Sequence, residues 1–443
     1  MQKLKENFFT IADRLSAQVT GAEILLANLG AEQSDFVRLN HCAIRQVGSV
    51  EQQSLQLTLI DGARQTSGSI ALGDILESDY QRASTLLRTL RETLKLIPPD
   101  PYLNFNAVRA DSITDGVNQL PDTAAVITEV MAQCSELDLV GIYAAGICAR
   151  GFANSLGQRN WFSSASFNFD WSIHLGADRA IKCGYAGTQW DADSFAQKCA
   201  QASGLIPVMQ RPEITLPPGL YRAYLAPSAL VEVVDMLSWD GFGLKSQKAK
   251  QSSLQRMLDN DATLDASINI VENTQDGFSP SFQDSGFIKH AQVNLIQNGH
   301  YQDALISPRS AQEFGLASNG ANASESPQSI EMAPGKLANS NILSELGTGL
   351  YISNLWYLNY SDRPACRMTG MTRFATFWVE NGEIVAPVKV MRFDESLYRM
   401  LGSKLIGLTQ ERDTIFSADT YESRSTASAR IPGALIADFN LTL

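Results

Sequence analysis

The segment "MTGMTRFATFWVENGEIVAPV", residues 368–388, decides how the second half of the chain is read. It crowds apolar and aromatic residues around Arg373, Glu380 and Glu383, and an Asn-Gly pair at Asn381 and Gly382 divides it. Asn-Gly between two β-rich runs is the strongest local signal for a tight hairpin, because both central residues of that turn need positive φ. The segment therefore predicts a β-hairpin. Its mixture of aromatic and charged residues leaves open whether the hairpin lines a site or fills a core.

Working outward, similar short β-like runs recur at "ASINIVEN" (266–273), "AQVNLIQNGHYQDAL" (291–305), "TGLYISNLWYLNY" (348–360) and "PGALIADF" (432–439). This spacing predicts a mostly antiparallel β domain, sandwich or barrel-like, with a few helices. One helix is expected at "SALVEVVDMLSWDGFG" (228–243), with Ser228 as its N-cap. Upstream, "IPVMQRPEITLPPG" (206–219) carries four prolines in a short span. We place a domain boundary there, giving 1–212 and 213–443.

The first of these reads as an α/β domain with an antiparallel sheet and helices. Leu4, Phe8, Ile11, Ala12 and Leu15 fall at helical spacing, and β-rich runs up to residue 72 turn at Asp61-Gly62. Helices are expected at 74–97, capped by Asp74, at 122–136 and at 191–203. Short strands are expected between the last two, with Phe167, Phe169 and Trp171 alternating onto one sheet face. The fold class is α+β.

A length of 443 residues exceeds what one hydrophobic core usually supports, and 44% hydrophobic with 19% charged residues marks a folding, globular chain. The formal charge of −12 opposes binding to nucleic acid. Charges interrupt the N-terminal helix too often for an export signal, and no run reaches the roughly 20 apolar residues of a membrane span, so the expected location is cytoplasmic. In that compartment the six dispersed cysteines read as free thiols.

Chemistry is harder to find. The four histidines, His41, His174, His290 and His300, include no pair at metal-binding spacing. No nucleophile elbow, P-loop or dinucleotide fingerprint occurs. Cys366 lies between Arg363 and Arg367, a setting that would activate a thiol, but no base stands near it in sequence. The residues by themselves yield no catalytic set.

The order G-x-G-L-Y-I-x-x-L-W-Y (347–357), T-G-x-T-R (369–373) and F-W-V-E-N-G-E-I-x-x-P-V (377–388) resembles the C-terminal part of the TldD/PmbA, or modulator of DNA gyrase, family. TldD-type members of that family carry an H-E-x-x-x-H helix and a later cysteine that hold zinc. The corresponding helix here, 228–243, has no histidine, and the tail "ESRSTASARIPGALI" (422–436) has no cysteine.

The resemblance thus implies a metal-free, TldE/PmbA-like subunit with no catalytic residues or cofactor of its own. Its partner would be a TldD-like metallopeptidase chain holding the zinc, and the pair would act on unfolded or flexible peptides. Alternatives are a homodimeric peptide-binding or regulatory protein and a stand-alone peptidase using a nucleophile such as Cys366. Candidate peptide-cavity or interface residues are Asn354, Trp356, Tyr357, Arg363, Arg373 and Trp378. Most neighbouring aromatics are expected to be sheet core.

Overall fold

Side-chain alternation along a few long strands organises the first half of the molecule. The computed structural model describes residues 1–176 and 179–443. Among these, β1 (Ile24–Asn40), β2 (Ala43–Asp61), β3 (Arg64–Ala71), β4 (Ser112–Asp115), β5 (Leu139–Asn154), β6 (Arg159–His174) and β7 (Ala180–Gly187) form one sheet. Its order is β3-β2-β1-β5-β6-β4, with β7 also on β6, and only β4 pairs in parallel.

Short strands were expected over β5 and β6, yet each runs 16 residues. The glycines within them are places where neighbours come close. A Cβ on Gly146, for instance, would lie 2.1 Å from the Gln33 carbonyl oxygen.

Odd-numbered residues of these strands, such as Leu25, Leu57, Tyr143, Phe167, Phe169 and Trp171, are buried under four helices. These are α1 (Gln2–Ser16), α2 (Leu76–Leu94), α3 (Thr123–Gln133) and α4 (Ala192–Met209). Two helix ends differ from expectation. Asp74 does not cap α2: it takes φ 61° and accepts a hydrogen bond from the Gln53 amide, while Asp79 Oδ1 accepts from the Gly73 N–H. Helix α4 continues through Pro207 to Met209, so the proline-rich stretch begins inside a helix.

The even-numbered face of the sheet is polar where it meets the second half, with Glu32, Ser34, Ser166, Asn168 and Asp170 on it. Arg424 is inserted against this face and is almost wholly buried. Its guanidinium donates to the Ser166 carbonyl and hydroxyl at 3.0 Å and to the Gly146 carbonyl at 3.3 Å. Its backbone N–H donates to Glu32.

The second sheet comprises β8 (Gly219–Leu225), β9 (Ile270–Asn273), β10 (Gln292–Gln297), β11 (His300–Tyr301), β12 (Ser329–Met332), β13 (Gly349–Asp362), β14 (Arg367–Glu380), β15 (Glu383–Pro387), β16 (Arg392–Ser396), β17 (Leu405–Phe416) and β18 (Ser428–Leu441). Strand β18 pairs with β16 and also with β8, which pairs with β13. The path β18-β16-β14-β13-β8 therefore closes on itself as a small barrel. Helix α5 (Pro227–Ser238) follows β8 and buries Ala229, Leu230, Val233, Val234 and Leu237 in the barrel core. Ser228 is not its cap. Pro227 occupies the first helical position, Ala226 precedes it, and Ser228 falls inside the first turn.

The hairpin is present, with Glu380 opposite Glu383 and φ of 50° and 81° at Asn381 and Gly382. It fills core on one side: Ala375 and Phe377 of β14 are buried in the first sheet's aromatic cluster, whereas Met368 joins the barrel core. The two halves thus share packing. Among the described residues no helix is long and apolar enough to cross a membrane.

Phe377→Ala should lower unfolding stability by about 3–5 kcal/mol, because it leaves a cavity where the two cores meet. Denaturant unfolding measures this, and a loss below about 1 kcal/mol would contradict the shared core.

Candidate functional site: a cleft between two sheets

A cleft of 1240 Å³ opens where the polar face of the first sheet meets α5, β13 and β17. Each wall follows from local sequence pattern. On α5 the cleft-facing residues include Ser228, Val231, Glu232, Asp235 and Met236, with Trp239 just past its end, three and four apart on one helical stripe. Even positions of β6 and β7 supply Asn168, Asp170 and Lys182.

The cleft's carboxylates are crowded. Burial pushes the Glu232 and Asp170 carboxyls above the ordinary range, with Lys182 partly offsetting both. Asp235 is solvent-exposed within the cleft, and the walls around it desolvate it in part. That desolvation, with Glu232 one turn away, raises it to about 6.

Strands β13 and β14 depart from regular pairing beside the cleft. Their register shifts between Ile352 and Asn354 and again between Trp356 and Asn359. At these shifts Phe374 and Tyr357 take φ of 61° and 57°. Left-handed backbone is costly for bulky side chains, and β-bulges that re-aim side chains are concentrated near functional sites. Here they splay Trp356 and Tyr357 outward, 42% and 77% exposed, with ring centroids 5.4 Å apart.

The six candidate residues separate into two groups. Asn354, Trp356 and Tyr357 line the cleft. Arg373 joins them indirectly, its guanidinium 4.3 Å from the Trp356 ring centre. Arg363 is likewise outside the lining but lies 3.5 Å from Asp240, which is part of it, and is stacked over Tyr360. Trp378 is also outside the lining, its indole N–H donating to Glu380 at 2.8 Å. Cys366 is fully buried in the barrel core, and desolvation pushes its thiol up to about 12 despite Arg363.

The sequence reading missed Asp170, Lys182 and Glu232. Polar residues at even positions of β6, beside aromatics at odd positions, were the available signal.

The profile of the PmbA/TldA metallopeptidase C-terminal domain matches residues 218–442. The chain belongs to the PmbA/TldD family. No curated protein sequence matches it. Its fold is similar to that of TldE from Thermococcus kodakarensis, with a TM-score of 0.78 at 12% identity over 98% of this chain and 100% of that one. A Thermotoga maritima protein described as a modulator of a DNA gyrase gives 0.76 at 12% identity, over 99% and 100% of the two chains. A Bacteroides thetaiotaomicron protein described in the same way gives 0.74 at 13% identity, over 100% and 99%. At these identities the likeness is one of fold.

The family's name raises the question of a metal. The cleft face of α5 offers carboxylates but no imidazole. Among the described residues no three His, Cys, Asp or Glu side chains gather closely enough to hold an ion. The cleft's residues do not fit a catalytic metal.

Asp235→Asn tests the cleft's electrostatics. Between its ordinary 3.8 and about 6 the folded chain retains a proton that the unfolded chain has released, so stability falls as pH rises through that window. The variant should melt above the wild type beyond pH about 6, modestly because water reaches the group, and should match it below about pH 4. Coincident melting temperatures from about pH 3 to 8 would contradict this.

Proposed function

We propose that this chain is the TldE-like, metal-free subunit of a cytoplasmic two-chain peptidase, whose TldD-like partner carries the zinc and the catalytic groups. The observation that carries the reading is the cleft face of α5. On the helix that corresponds by resemblance to the H-E-x-x-x-H helix of TldD-type chains, the cleft face carries Val231, Glu232, Asp235 and Met236 and no histidine. The cleft nevertheless persists, walled by both sheets, with strained bulges and exposed aromatics at its edge.

Such a cleft suits the holding of a flexible peptide against a partner's metal. Trp356 and Tyr357 offer apolar faces for side chains of an extended substrate. Asn354 is buried and its amide oxygen accepts from the Ser353 hydroxyl, while no hydrogen bond is made by its amide nitrogen among the described residues. A peptide carbonyl would satisfy that donor. The burial and raised pKa of Cys366 argue against a stand-alone thiol peptidase.

Mixing the purified chain with an H-E-x-x-x-H-bearing relative from the same source should give a stable heterodimer. That heterodimer should cleave an unstructured peptide and lose activity in a chelator, while each chain alone is inert or weak. Peptide hydrolysis by this chain alone, retained in chelator, would overturn the reading. In the assembled enzyme, Trp356→Ala should raise KM about tenfold with kcat little changed. An unchanged KM would remove Trp356 from the peptide path.

A further inference from the structure

The cleft holds more negative charge than it neutralises. Its lining carries six carboxylates and three cationic side chains. Asp240 and Arg412 are paired outside the lining, with Arg363 and Glu331, so five carboxylates stand against Lys182 and Lys198. Asp170, Glu232 and Asp235 make no ion pair among the described residues, and desolvation works against the charged form of each. A carboxylate desolvated without a counterion is costly, so a cation entering the cleft would be held there.

Two contacts place this charge beside groups that would hold a peptide. The Ala226 N–H donates to the Ile352 carbonyl at 3.0 Å at the start of α5, and the Tyr360 hydroxyl donates to the Met236 carbonyl at 2.6 Å near its end. Strand β13 therefore runs alongside α5 in the same direction. Asn354, Trp356 and Tyr357 fall between the two contacts on the strand, as Glu232 and Asp235 do on the helix.

Each group calls for a different part of a ligand. Asn354 is 6% exposed and lines the cleft, and its amide nitrogen, with no acceptor among the described residues, asks for a carbonyl. Arg373 already lies over Trp356, so that ring and Tyr357 offer surface to an aliphatic stem rather than to a charge. A bare metal ion does not suit the carboxylates, which do not gather closely enough to hold one among the described residues. Spread over α5 and β6, they suit a cation at the end of a long, flexible side chain.

We propose that the cleft selects peptides carrying a basic residue, with a backbone carbonyl on Asn354, the stem of a lysine or arginine along Trp356 and Tyr357, and its charged end among Glu232, Asp235 and Asp170. The inference rests on the reading of the cleft as a peptide site and adds the class of peptide that it takes.

Unstructured fluorescent peptides, blocked at both ends and differing only at one central residue, test this by anisotropy with the intact chain alone. At about pH 7.5 the lysine and arginine peptides should bind about tenfold more tightly than those with norleucine or glutamate. Glu232→Gln and Asp235→Asn should each shrink that preference about threefold, and the two together should remove it. Glu51→Gln, on an exposed stretch of β2, should keep it. Equal affinities, no measurable binding, a preference indifferent to Glu232 and Asp235, or one seen only with a free α-amine would each overturn the proposal. The assembled pair separates this inference from the two-chain reading. Cleavage by the pair together with charge-blind binding by this chain would remove the inference and leave that reading standing, whereas lysine-selective binding with no cleavage by the pair would do the reverse.

Discussion

Strand β14 serves two cores at once, and the placement of everything else depends on it. Phe377 and Ala375 pack among the aromatics of the first sheet, while Met368, further down the same strand, packs inside the barrel. A strand committed to both sides cannot slide by one residue without exposing one set and burying the other wrongly. Arg424 makes a second tie, since its guanidinium has its carbonyl acceptors only when the tail after β17 lies on the first sheet. A desolvated cation is costly unless hydrogen-bonded, so that contact fixes the tail firmly. With both ties in place the cleft has rigid walls.

Rigid walls allow the cleft itself to remain poorly satisfied. Asp170 and Glu232 each feel Lys182 and Asp235 feels Glu232, with all three carboxyls raised by desolvation and none of them in an ion pair among the described residues. Tyr357 and Phe374 adopt backbone conformations that bulky residues ordinarily avoid. A protein selected for stability alone would have filled or neutralised this volume. Retained desolvation and strain at one place are the usual mark of a site.

How much of this was legible from the sequence follows from the range of each interaction. The Asn381-Gly382 hairpin was, because its turn chemistry is local. So were the alternation of Phe167, Phe169 and Trp171 and the α+β class. The full length of strands β5 and β6 was not, since what lets β5 run on through Gly141, Gly146 and Gly151 is the close approach of neighbours, which only the fold supplies. Neither cap prediction survived: Asp74 was drawn to Gln53 and Ser228 was displaced into the helix by Pro227. Asn354, Trp356 and Tyr357 share a cleft because two bulges aim them there, and no local pattern announces a bulge. Asp170 and Glu232 come to line one cleft only when the two halves pack together, a juxtaposition that no spacing in sequence encodes.

The account turns on a helix that faces a cleft with carboxylates and apolar groups where a hydrolytic metal would need imidazole. Zinc titration of the purified, metal-free chain by calorimetry tests this most directly. The account predicts no saturable site near unit stoichiometry. About one zinc per chain, bound tightly enough to survive dialysis and lost when Glu232 or Asp235 is replaced, would contradict it.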